Sequence, residues 1–344
     1  MLRGAIIGLG NVALGVHGPA WAGRDDVEIV AVSDTDPARR GPALAVLPSA
    51  RWYDSADGLF ARERLDFVDI CTPPVSHGPL VCQALERGFH AFCEKPLAIT
   101  RDELDRVTAL AETTRRVVHT VHNWRHAPII KRATELVRAG EVGRVTRVVW
   151  NTLRTRAAAT AGNGHGGNWR LDPTMAGGGV LTDHGWHAFY VVGGWMLDAP
   201  TSLSARLEHR QSTDLPVEDT ATVHVTFPDA TAEIFLTWAA DRRDNTAYVI
   251  GSDGRLELQG ETLTLERGGH VERWTCPPAL SNGSVHPDWF DPELREFLHA
   301  VHGTAPHSNL AQARLCGVLE STARESNRRG GEPLVVPALR MPMV

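Results

Sequence analysis

The order in which short apolar segments alternate with helical stretches restricts the fold of this chain more than any other feature. In the first third, segments with strand character are followed by stretches whose apolar residues recur at helical spacing. Strands are expected at Ala5–Ile7, Glu28–Val32, Phe67–Cys71, Phe89–Cys93 and Val117–Val121, and helices at His77–Gly88 and Arg101–Thr114. Such alternation predicts a parallel sheet with helices on both faces, connected by right-handed crossovers.

The pattern changes after about residue 122. Turn pairs such as Asp253-Gly254 then separate the strand segments, which is typical of an antiparallel meander. Strands are expected at Val145–Leu153, Thr201–His209, Thr220–Phe227, Thr231–Trp238, Asn245–Ile250, Arg255–Gln259 and Thr262–Arg267, and helices at Ile129–Ala139, Thr182–Met196, Pro292–Val301 and Leu310–Asn327. We therefore predict an α/β domain with a doubly wound parallel sheet over residues 1–122. Residues 123–344 should form an α+β domain with a large, open, mostly antiparallel sheet, and the last helices have the option of packing back on the first domain.

Charge and composition exclude several classes of protein. The net charge of −6 gives no basic surface for nucleic acid, and no apolar run reaches the roughly 18 residues that would span a membrane. The first residues, Met1–Gly8, run directly into a strand and a glycine turn, so we expect no signal peptide. The five cysteines are odd in number and form no C-x-x-C pair, which indicates reduced thiols and a cytoplasmic location.

A glycine-rich turn directly follows the first strand. The segment Gly8-Leu9-Gly10-Asn11-Val12-Ala13 fits the pattern G-x-G-x-x-G/A. The first glycine permits a tight turn, the second lets the backbone approach a pyrophosphate, and the small third residue lets helix and strand pack closely. The unpaired N–H groups of a helix start bind phosphates. We therefore predict that Gly8, Gly10, Asn11 and Val12 bind a dinucleotide.

Asp34 ends the second strand, about twenty residues after this turn. A carboxylate at this point accepts hydrogen bonds from ribose hydroxyls and repels a 2′-phosphate, so we expect NAD rather than NADP. Arg39 and Arg40 keep NADP open. The alternative for Asp34 is that it caps the next helix.

Four further segments occur in a characteristic order. They are Cys71-Thr72-Pro73-Pro74 with His77, Phe92-Cys93-Glu94-Lys95-Pro96-Leu97, Arg125-His126-Ala127-Pro128, and the run from Gly177 to His187. They resemble the T-P-x-x-x-H, E-K-P, R-x-x-P and G-G-G-x-L-x-D-x-G-x-H segments of the Gfo/Idh/MocA family, which includes inositol dehydrogenases and glucose–fructose oxidoreductase. The resemblance covers essentially the whole chain. It implies a Rossmann domain that binds NAD(P), a second domain for substrate binding and oligomerisation, and hydride transfer to or from a carbinol or keto carbon of a sugar, sugar derivative or cyclitol.

The resemblance also implies roles for individual residues. It assigns Thr72, Pro73 and His77, with Glu94 and Lys95, to the nicotinamide side of the cofactor. It further assigns His187 as the acid/base and Asp183 as its partner at the substrate. Histidine suits this role because it titrates near neutral pH, and Asp183 lies four positions earlier, on the same face of a helix.

Lys95 is an unusual residue for this chain. Of 35 cationic residues, only Lys95 and Lys131 are lysine. Lys95 follows a strand end, where its ammonium could stabilise charge that develops on the reacting oxygen. The alternative is a surface ion pair with Glu94. We expect an ordinary trans bond to Pro96, and we expect Lys95 and His187 to converge beside the cofactor.

Substrate contacts are expected at two places. Asn123 and Arg125 lie at the predicted domain junction, and Trp169 and Arg170 precede the glycine run, where the resemblance places substrate-binding residues. Core packing is the alternative for Trp169. The polar segment Asn163–Arg170, which contains His165, departs from the family pattern and concerns substrate choice.

His184 also departs from the family pattern, since the position is usually apolar there, and we assign it to substrate binding. Asp183, His184 and His187 together raise the alternative of a zinc site. The two histidines are only three positions apart, no H-E-x-x-H is present, and the sequence fixes no third ligand. We therefore predict no metal.

Two other functions stay open. A glycosidase of the same family would retain NAD and use it transiently, and a sensor would keep the nucleotide fold without chemistry. The presence of Lys95, Asp183 and His187 counts against the sensor. Because the large sheet has more surface than the helices can cover, we predict a homodimer or homotetramer through it.

Overall fold

The computed structural model describes residues 1–160, 167–196, 198–211, 213–283, 286–304 and 308–338. His165 and its neighbours 161–166 lie outside these ranges. The chain divides into two compact units. The first comprises Met1–Val121, Ala159–Gly177 and Val285–Ala313, and the second comprises His122–Ala158, Gly178–Ser284 and Arg314–Val344.

Six strands form a parallel sheet in the described part of the first unit, in the order β3-β2-β1-β4-β5-β6. They are β1 (Leu2–Ile7), β2 (Val27–Ser33), β3 (Arg51–Tyr53), β4 (Phe67–Ile70), β5 (His90–Cys93) and β6 (Val118–Thr120). The helices of this unit are α1 (Gly18–Ala22), α2 (Arg40–Val46), α3 (Ala56–Arg62), α4 (His77–Glu86), α5 (Arg101–Thr114), α7 (Pro173–Ala176) and α9 (Pro287–Val301). This strand order is that of dinucleotide-binding sheets, which confirms the predicted fold class.

The core of the first unit explains why its strands are so apolar. All four residues of β4 are buried, as expected for a parallel sheet covered on both faces. Residues of α9 complete this core: Phe290 and Phe297 are buried against Phe92 of β5, with ring centroids 5.6 and 5.3 Å apart.

The described part of the second unit contains a nine-stranded sheet in the order β14-β13-β12-β11-β7-β10-β9-β8-β15. Its strands are β7 (Val145–Leu153), β8 (Ser202–Glu208), β9 (Thr220–Thr226), β10 (Thr231–Thr237), β11 (Asp244–Gly251), β12 (Gly254–Gln259), β13 (Thr262–Arg267), β14 (His270–Thr275) and β15 (Leu334–Val335). β7 and β10 are parallel, and the other neighbouring strands are antiparallel. The predicted mostly antiparallel sheet is therefore confirmed.

The helices of the second unit are α6 (Pro128–Arg138) and α8 (Trp186–Trp195), and α10 (Asn309–Arg328) begins in the first unit and ends in the second. α8 is apolar around most of its circumference and is buried over most of its length, as such a helix requires. Among the described helices, none combines the length and apolar character needed to cross a membrane. The five cysteines, all within the described ranges, are buried and form no disulfide.

Candidate active site

The glycine turn of the first unit has the shape that a dinucleotide requires. Gly8 adopts a positive φ of 87°, and a Cβ atom there would lie 2.7 Å from the backbone nitrogen of Thr72, so only glycine fits. A Cβ atom on Gly10 would meet nothing within 4 Å, so this backbone is open to a ligand. Asn11 and Val12 begin the helix that follows, which contains a π-helical turn at Ala13–His17 before α1. These features fit a bound pyrophosphate.

Asp34 is tied to this turn. Its Oδ2 accepts a hydrogen bond of 2.6 Å from the backbone N–H of Leu9, and its Oδ1 accepts one of 2.9 Å from Asp36. The following 3-10 turn, Pro37–Arg39, is capped by Asp36, whose carboxylate accepts from the N–H of Ala38. Since Asp36 supplies the cap, Asp34 lies beside the glycine turn, at the position predicted for a ribose contact.

His77 links the Thr72-Pro73 segment to the segment that carries Lys95. The imidazole is buried, and its Nε2 and Nδ1 lie 2.7 and 2.6 Å from the carbonyl oxygens of Thr72 and Pro96. Burial lowers the pKa of His77, although the two carbonyl oxygens oppose this shift. Both ring nitrogens lie within hydrogen-bonding distance of backbone carbonyl oxygens, so His77 links these two backbone segments to each other. The Lys95–Pro96 bond is cis, so the expectation of a trans bond was wrong.

Glu94 faces the interior of the first unit. Its Oε2 accepts the backbone N–H of Lys95 at 3.1 Å, and its Oε1 lies 3.2 Å from Nε2 of His17. Burial disfavours the charged form of Glu94, but the hydrogen bond and charge of His17 outweigh it, so the pKa is lowered. This carboxylate is bound within the fold, and the charge of the half-buried Lys95 also lowers its pKa, so the alternative of a Glu94–Lys95 pair stays open.

Trp169 and Arg170 lie in the first unit and are partly exposed. They belong to the 3-10 turn Trp169–Leu171, and the guanidinium of Arg170 lies 4.4 Å from the centre of the Trp169 indole. α7, directly after this turn, packs against the turn Pro74–Ser76. Trp169 is therefore not a core residue. The Trp169–Arg170 pair directly precedes α7, which packs against the turn that follows Thr72 and Pro73, the predicted nicotinamide contacts.

Asp183 lies in a π-helical turn, Leu181–Gly185, that leads directly into α8. Its carboxylate is 3.6 Å from Nε2 of His184, and both side chains are about 15% exposed. A partly buried carboxylate and imidazole so close together can share protons with a ligand hydroxyl.

His187 is held by two residues that the sequence analysis did not single out. Its Nδ1 lies 2.7 Å from the hydroxyl of Tyr190, which also accepts the backbone N–H of Trp124 at 3.0 Å. The indole of Trp124 stacks on the imidazole, with centroids 4.3 Å apart and planes 10° apart. If Nδ1–H donates to Tyr190, Nε2 carries the lone pair that a general base needs. The spacing of three residues between His187 and Tyr190 was the one available signal.

Asn123 and Arg125 lie in the 3-10 turn Asn123–His126 of the second unit. The Oδ1 of Asn123 is buried and has no hydrogen-bond partner among the described residues. The Nε of Arg125 donates to Nε2 of His126 at 3.1 Å. A buried amide oxygen without a partner is suited to accept a hydrogen bond from a ligand.

A buried cation, Arg154, lies near Trp124, and the sequence analysis did not predict it as a site residue. It donates to the carbonyl oxygens of Leu153 and Asp244 and to Oδ1 of Asn245, and its guanidinium lies 6.0 Å from the centre of the Trp124 indole. Burial lowers its pKa to about 10, so it stays charged at neutral pH, and the negative charge of Asp183 opposes this lowering. The residue type gave no signal, because arginine is common throughout this chain.

The glycine run before Asp183 permits a close backbone approach. A Cβ atom on Gly179 would lie 1.9 Å from the carbonyl oxygen of Glu218. The Oε1 of Glu218 accepts the N–H groups of Gly179 and Leu181 at 2.9 and 3.3 Å. Arg324 donates to that same oxygen at 3.1 Å and to the hydroxyl of Thr182 at 2.6 Å. This network fixes the start of the segment that carries Asp183 and His187.

Two family models match the chain. Residues 2–122 match a model described as an oxidoreductase family with an NAD-binding Rossmann fold, and residues 130–257 match the GFO/IDH/MocA C-terminal domain. D-apiose dehydrogenase of Paraburkholderia graminis is 28% identical over 294 residues, which are 82% of this chain and 75% of that protein. D-glucoside 3-dehydrogenase of Escherichia coli is 31% identical over 196 residues, 56% of this chain and only 54% of that protein.

Solved structures share the fold over the full length. A levoglucosan dehydrogenase in complex with NADH and levoglucosan has a TM-score of 0.84 at 18% identity, covering 98% of this chain and 100% of the other. GenD2 from gentamicin A biosynthesis, in complex with NAD, has a TM-score of 0.82 at 24% identity, covering 98% of this chain and 97% of the other. At such identities the likeness establishes the fold.

Proposed function

Because the chain belongs to the Gfo/Idh/MocA family of NAD-binding oxidoreductases, we propose that it transfers a hydride between NAD and a carbinol or keto carbon of a sugar, sugar derivative or cyclitol. The observation that carries this proposal is the setting of His187, whose Nδ1 is engaged by Tyr190 and whose ring is fixed by Trp124. Such an imidazole can take the hydroxyl proton of a carbinol and return it to a ketone.

The other residues divide the work by their chemistry. When bound, the nicotinamide supplies or accepts the hydride. Gly8, Gly10 and Asp34 hold the dinucleotide, with the backbone at Thr72 and Pro73 beside it. Lys95 donates a hydrogen bond to the reacting oxygen and stabilises the charge that develops there. Asp183 is assigned to the substrate together with His187.

The substrate is assigned to the sugar class because both named relatives are sugar dehydrogenases. Asn123 accepts a substrate hydroxyl, since its buried amide oxygen has no partner among the described residues. Arg125, Arg170 and His184 supply further polar contacts, and Trp169 offers an apolar face to a sugar ring.

We further propose a homodimer or homotetramer through the open face of the large sheet. Val149, Phe235 and Tyr248 share that face and are half-exposed, whereas their neighbours along each strand are buried. Phe235→Glu should convert the oligomer to a monomer in light scattering, and Val271→Glu, at an exposed residue of β14, should not. A wild-type monomer would contradict this proposal.

The buried free thiols favour a reducing compartment, which we take to be the cytoplasm.

An absorbance screen tests the activity. Purified protein is incubated with NAD or NADH and a panel of sugars, cyclitols and keto-sugars, and nicotinamide absorbance is followed. We expect one compound class to change this absorbance in proportion to product. Release of reducing sugar from glycosides without net absorbance change would favour the NAD-retaining glycosidase. Ligand binding without any turnover would favour a sensor.

A second experiment tests the ribose assignment of Asp34. Asp34→Ala should weaken NAD binding at least about tenfold, the equivalent of one hydrogen bond to a charged group, and weaken NADP binding less. Asp36→Ala is the matched control, because it removes a neighbouring carboxylate that caps the next turn. Titration by tryptophan fluorescence gives both dissociation constants. An unchanged preference between the two cofactors would remove Asp34 from ribose binding.

A further inference from the structure

A histidine in the core of the first unit lies between two carboxylates. The His17 side chain is fully buried, and its Nδ1 is 2.9 and 3.0 Å from the two oxygens of Asp69. Its Nε2 is 3.2 Å from Oε1 of Glu94. Asp69 lies in β4, Glu94 directly follows β5, and His17 ends the π-helical turn after the glycine segment.

The hydrogen-bond donors at this cluster define its charge. An ionised carboxylate accepts hydrogen bonds, and a neutral imidazole carries one N–H, so ionised carboxylates at both nitrogens favour a doubly protonated ring. The titratable groups that face His17 are Asp69, Cys71, whose Sγ lies 3.1 Å from Nδ1, and Glu94. The indole N–H of Trp21 donates to Asp69 at 2.7 Å, and Phe290 of α9 adds an uncharged ring 4.2 Å away.

Two pKa shifts agree with this arrangement. Burial opposes the charged form of His17, but the charge of Asp69 and its hydrogen bond raise the pKa well above the ordinary value. Burial raises the pKa of the Cys71 thiol well above its ordinary value, so the sulfur stays protonated and donates towards Asp69 at 3.4 Å. The cluster thus holds one cation between two anions.

We propose that His17 is a buried imidazolium that acts as a positioning residue, holding the Glu94 carboxylate and, through it, the backbone of Lys95. The hydrogen bonds run from His17 Nε2 to Glu94 Oε1 and from the Lys95 N–H to Glu94 Oε2. Because His17 closes the turn that follows Gly8 and Gly10, the same ring joins the cofactor-binding turn to the Lys95 segment. The importance of this link for turnover rests on the proposed function of Lys95.

A metal ion is the competing use of the same atoms. His17, Asp69 and Cys71 bring a nitrogen, an oxygen and a sulfur within 4.8 Å of one another, the one such group of three in the described residues. A metal needs a deprotonated ring nitrogen and a thiolate, whereas here both ring nitrogens face carboxylates and burial raises the pKa of the thiol. The two uses therefore differ in protons and in metal content.

The closing experiment exploits the rarity of lysine. Reductive methylation with ¹³C-formaldehyde labels Lys95, Lys131 and the N-terminus, and Lys131→Arg identifies the signals. We expect His17→Gln to shift or broaden the Lys95 signal and leave that of Lys131 unchanged. The matched control is His119→Gln, which breaks another fully buried histidine–carboxylate pair of the same unit, His119–Glu293 at 2.6 Å. The control should leave the Lys95 signal in place. An unchanged Lys95 signal in folded His17→Gln would overturn the proposal.

A measurement on the wild-type protein covers the case in which His17→Gln does not fold. ¹⁵N spectra of histidine-labelled protein should show one ring that keeps both N–H groups at pH 8, with Asp69→Asn removing that signal. A neutral ring at this position, or stoichiometric zinc in the purified protein, would overturn the proposal. With a substrate in hand, His17→Gln should lower kcat about 10- to 100-fold with little change in the KM for NAD. The spectra need no turnover, so they stay informative even if Lys95 proves non-catalytic.

Discussion

In the first unit a histidine ring lies between the carboxylates of Asp69 and Glu94, and in the second an arginine guanidinium lies between those of Glu218 and Glu320. Both networks adjoin a proposed reactive side chain. Glu94 binds the backbone N–H of Lys95, and Arg324 and Glu218 bind the segment that leads into Asp183 and His187. A backbone segment is thus fixed in each case by a bridged pair of carboxylates.

The two cations differ in how firmly they hold their charge. A guanidinium stays protonated at any physiological pH and donates in a planar fork, which suits Arg324 as it reaches two carboxylates and a hydroxyl. An imidazole keeps its second proton only while its surroundings favour the charge. The cation that holds the Lys95 segment, His17, therefore keeps its charge only in a suitable environment. The cation that holds the segment leading into His187, Arg324, stays charged throughout the physiological pH range.

The largest expected effect comes from removing the two proposed reactive groups, Lys95 and His187. Lys95→Met and His187→Gln should each lower kcat by about 10²- to 10⁴-fold, the range for losing an acid/base or an oxyanion donor, and leave the dissociation constant of NAD within a few-fold. Lys131→Met is the matched control, because it removes the other lysine of the chain. Steady-state kinetics and a NAD titration give both numbers. If either variant turns over like the wild type, the substituted residue has no role in the chemical step.

The next effect concerns the permanent cation. Arg324→Met leaves the carboxylates of Glu218 and Glu320 without their partner, and breaking such a largely buried network costs about 3–5 kcal/mol of unfolding free energy. Arg328→Met, on the same helix, breaks an exposed pair with Glu325 and should cost at most about 1 kcal/mol. Urea unfolding followed by circular dichroism measures both. Equal losses in the two variants would mean that the Arg324 network contributes no more than a surface pair.

A pH series separates the two cations. The pKa of His17 is raised because Asp69 outweighs burial, so the folded protein retains a proton that the unfolded chain releases above about pH 6.5. The stability that His17 contributes is complete below that pH. It is lost as the pH rises through the folded-state pKa, at about 1.4 kcal/mol per pH unit. The unfolding free energies of wild type and His17→Gln should therefore converge in alkaline solution, whereas the gap between wild type and Arg324→Met should stay constant. Parallel curves for His17→Gln would mean that its ring is already neutral.

The sequence predicted those parts of the fold that depend on the pattern of a single short segment. The parallel sheet follows from alternating strands and helices, and the positions of Gly8 and Asp34 follow from one turn and the next strand end. β3 was missed because Arg51, Trp52 and Tyr53 form a partly exposed edge strand without an apolar run. The sequence left open whether the last helices pack on the first domain, since apolar residues of a helix fit either core equally well, and the structure assigns 285–313 to the first unit.

The surroundings of the proposed reactive residues were less predictable, because they are long-range contacts. His17 contacts Asp69 and Glu94, which lie 52 and 77 positions away in the sequence. The sequence of the glycine turn does not predict these contacts. Arg324 reaches Glu218 across 106 positions. The residues that would act on a substrate carry local motifs, whereas those that hold them in place are specified by the fold as a whole.

The smallest expected effect tests whether His187 itself needs a charged neighbour. Its Nδ1 partner is the neutral hydroxyl of Tyr190, so Tyr190→Phe removes one hydrogen bond, worth about 0.5–1.5 kcal/mol, and should lower kcat about 3- to 10-fold. The pH profile should also shift, because either ring nitrogen can then carry the proton. Tyr248→Phe, which removes a hydroxyl bonded to Glu257 in the same unit, should change neither. A loss as large as that of His187→Gln would mean that Tyr190 does more than select a tautomer. In that case the neutral hydrogen bond between Tyr190 and His187 would matter as much for turnover as the charged contact between His17 and Glu94 that holds the Lys95 segment.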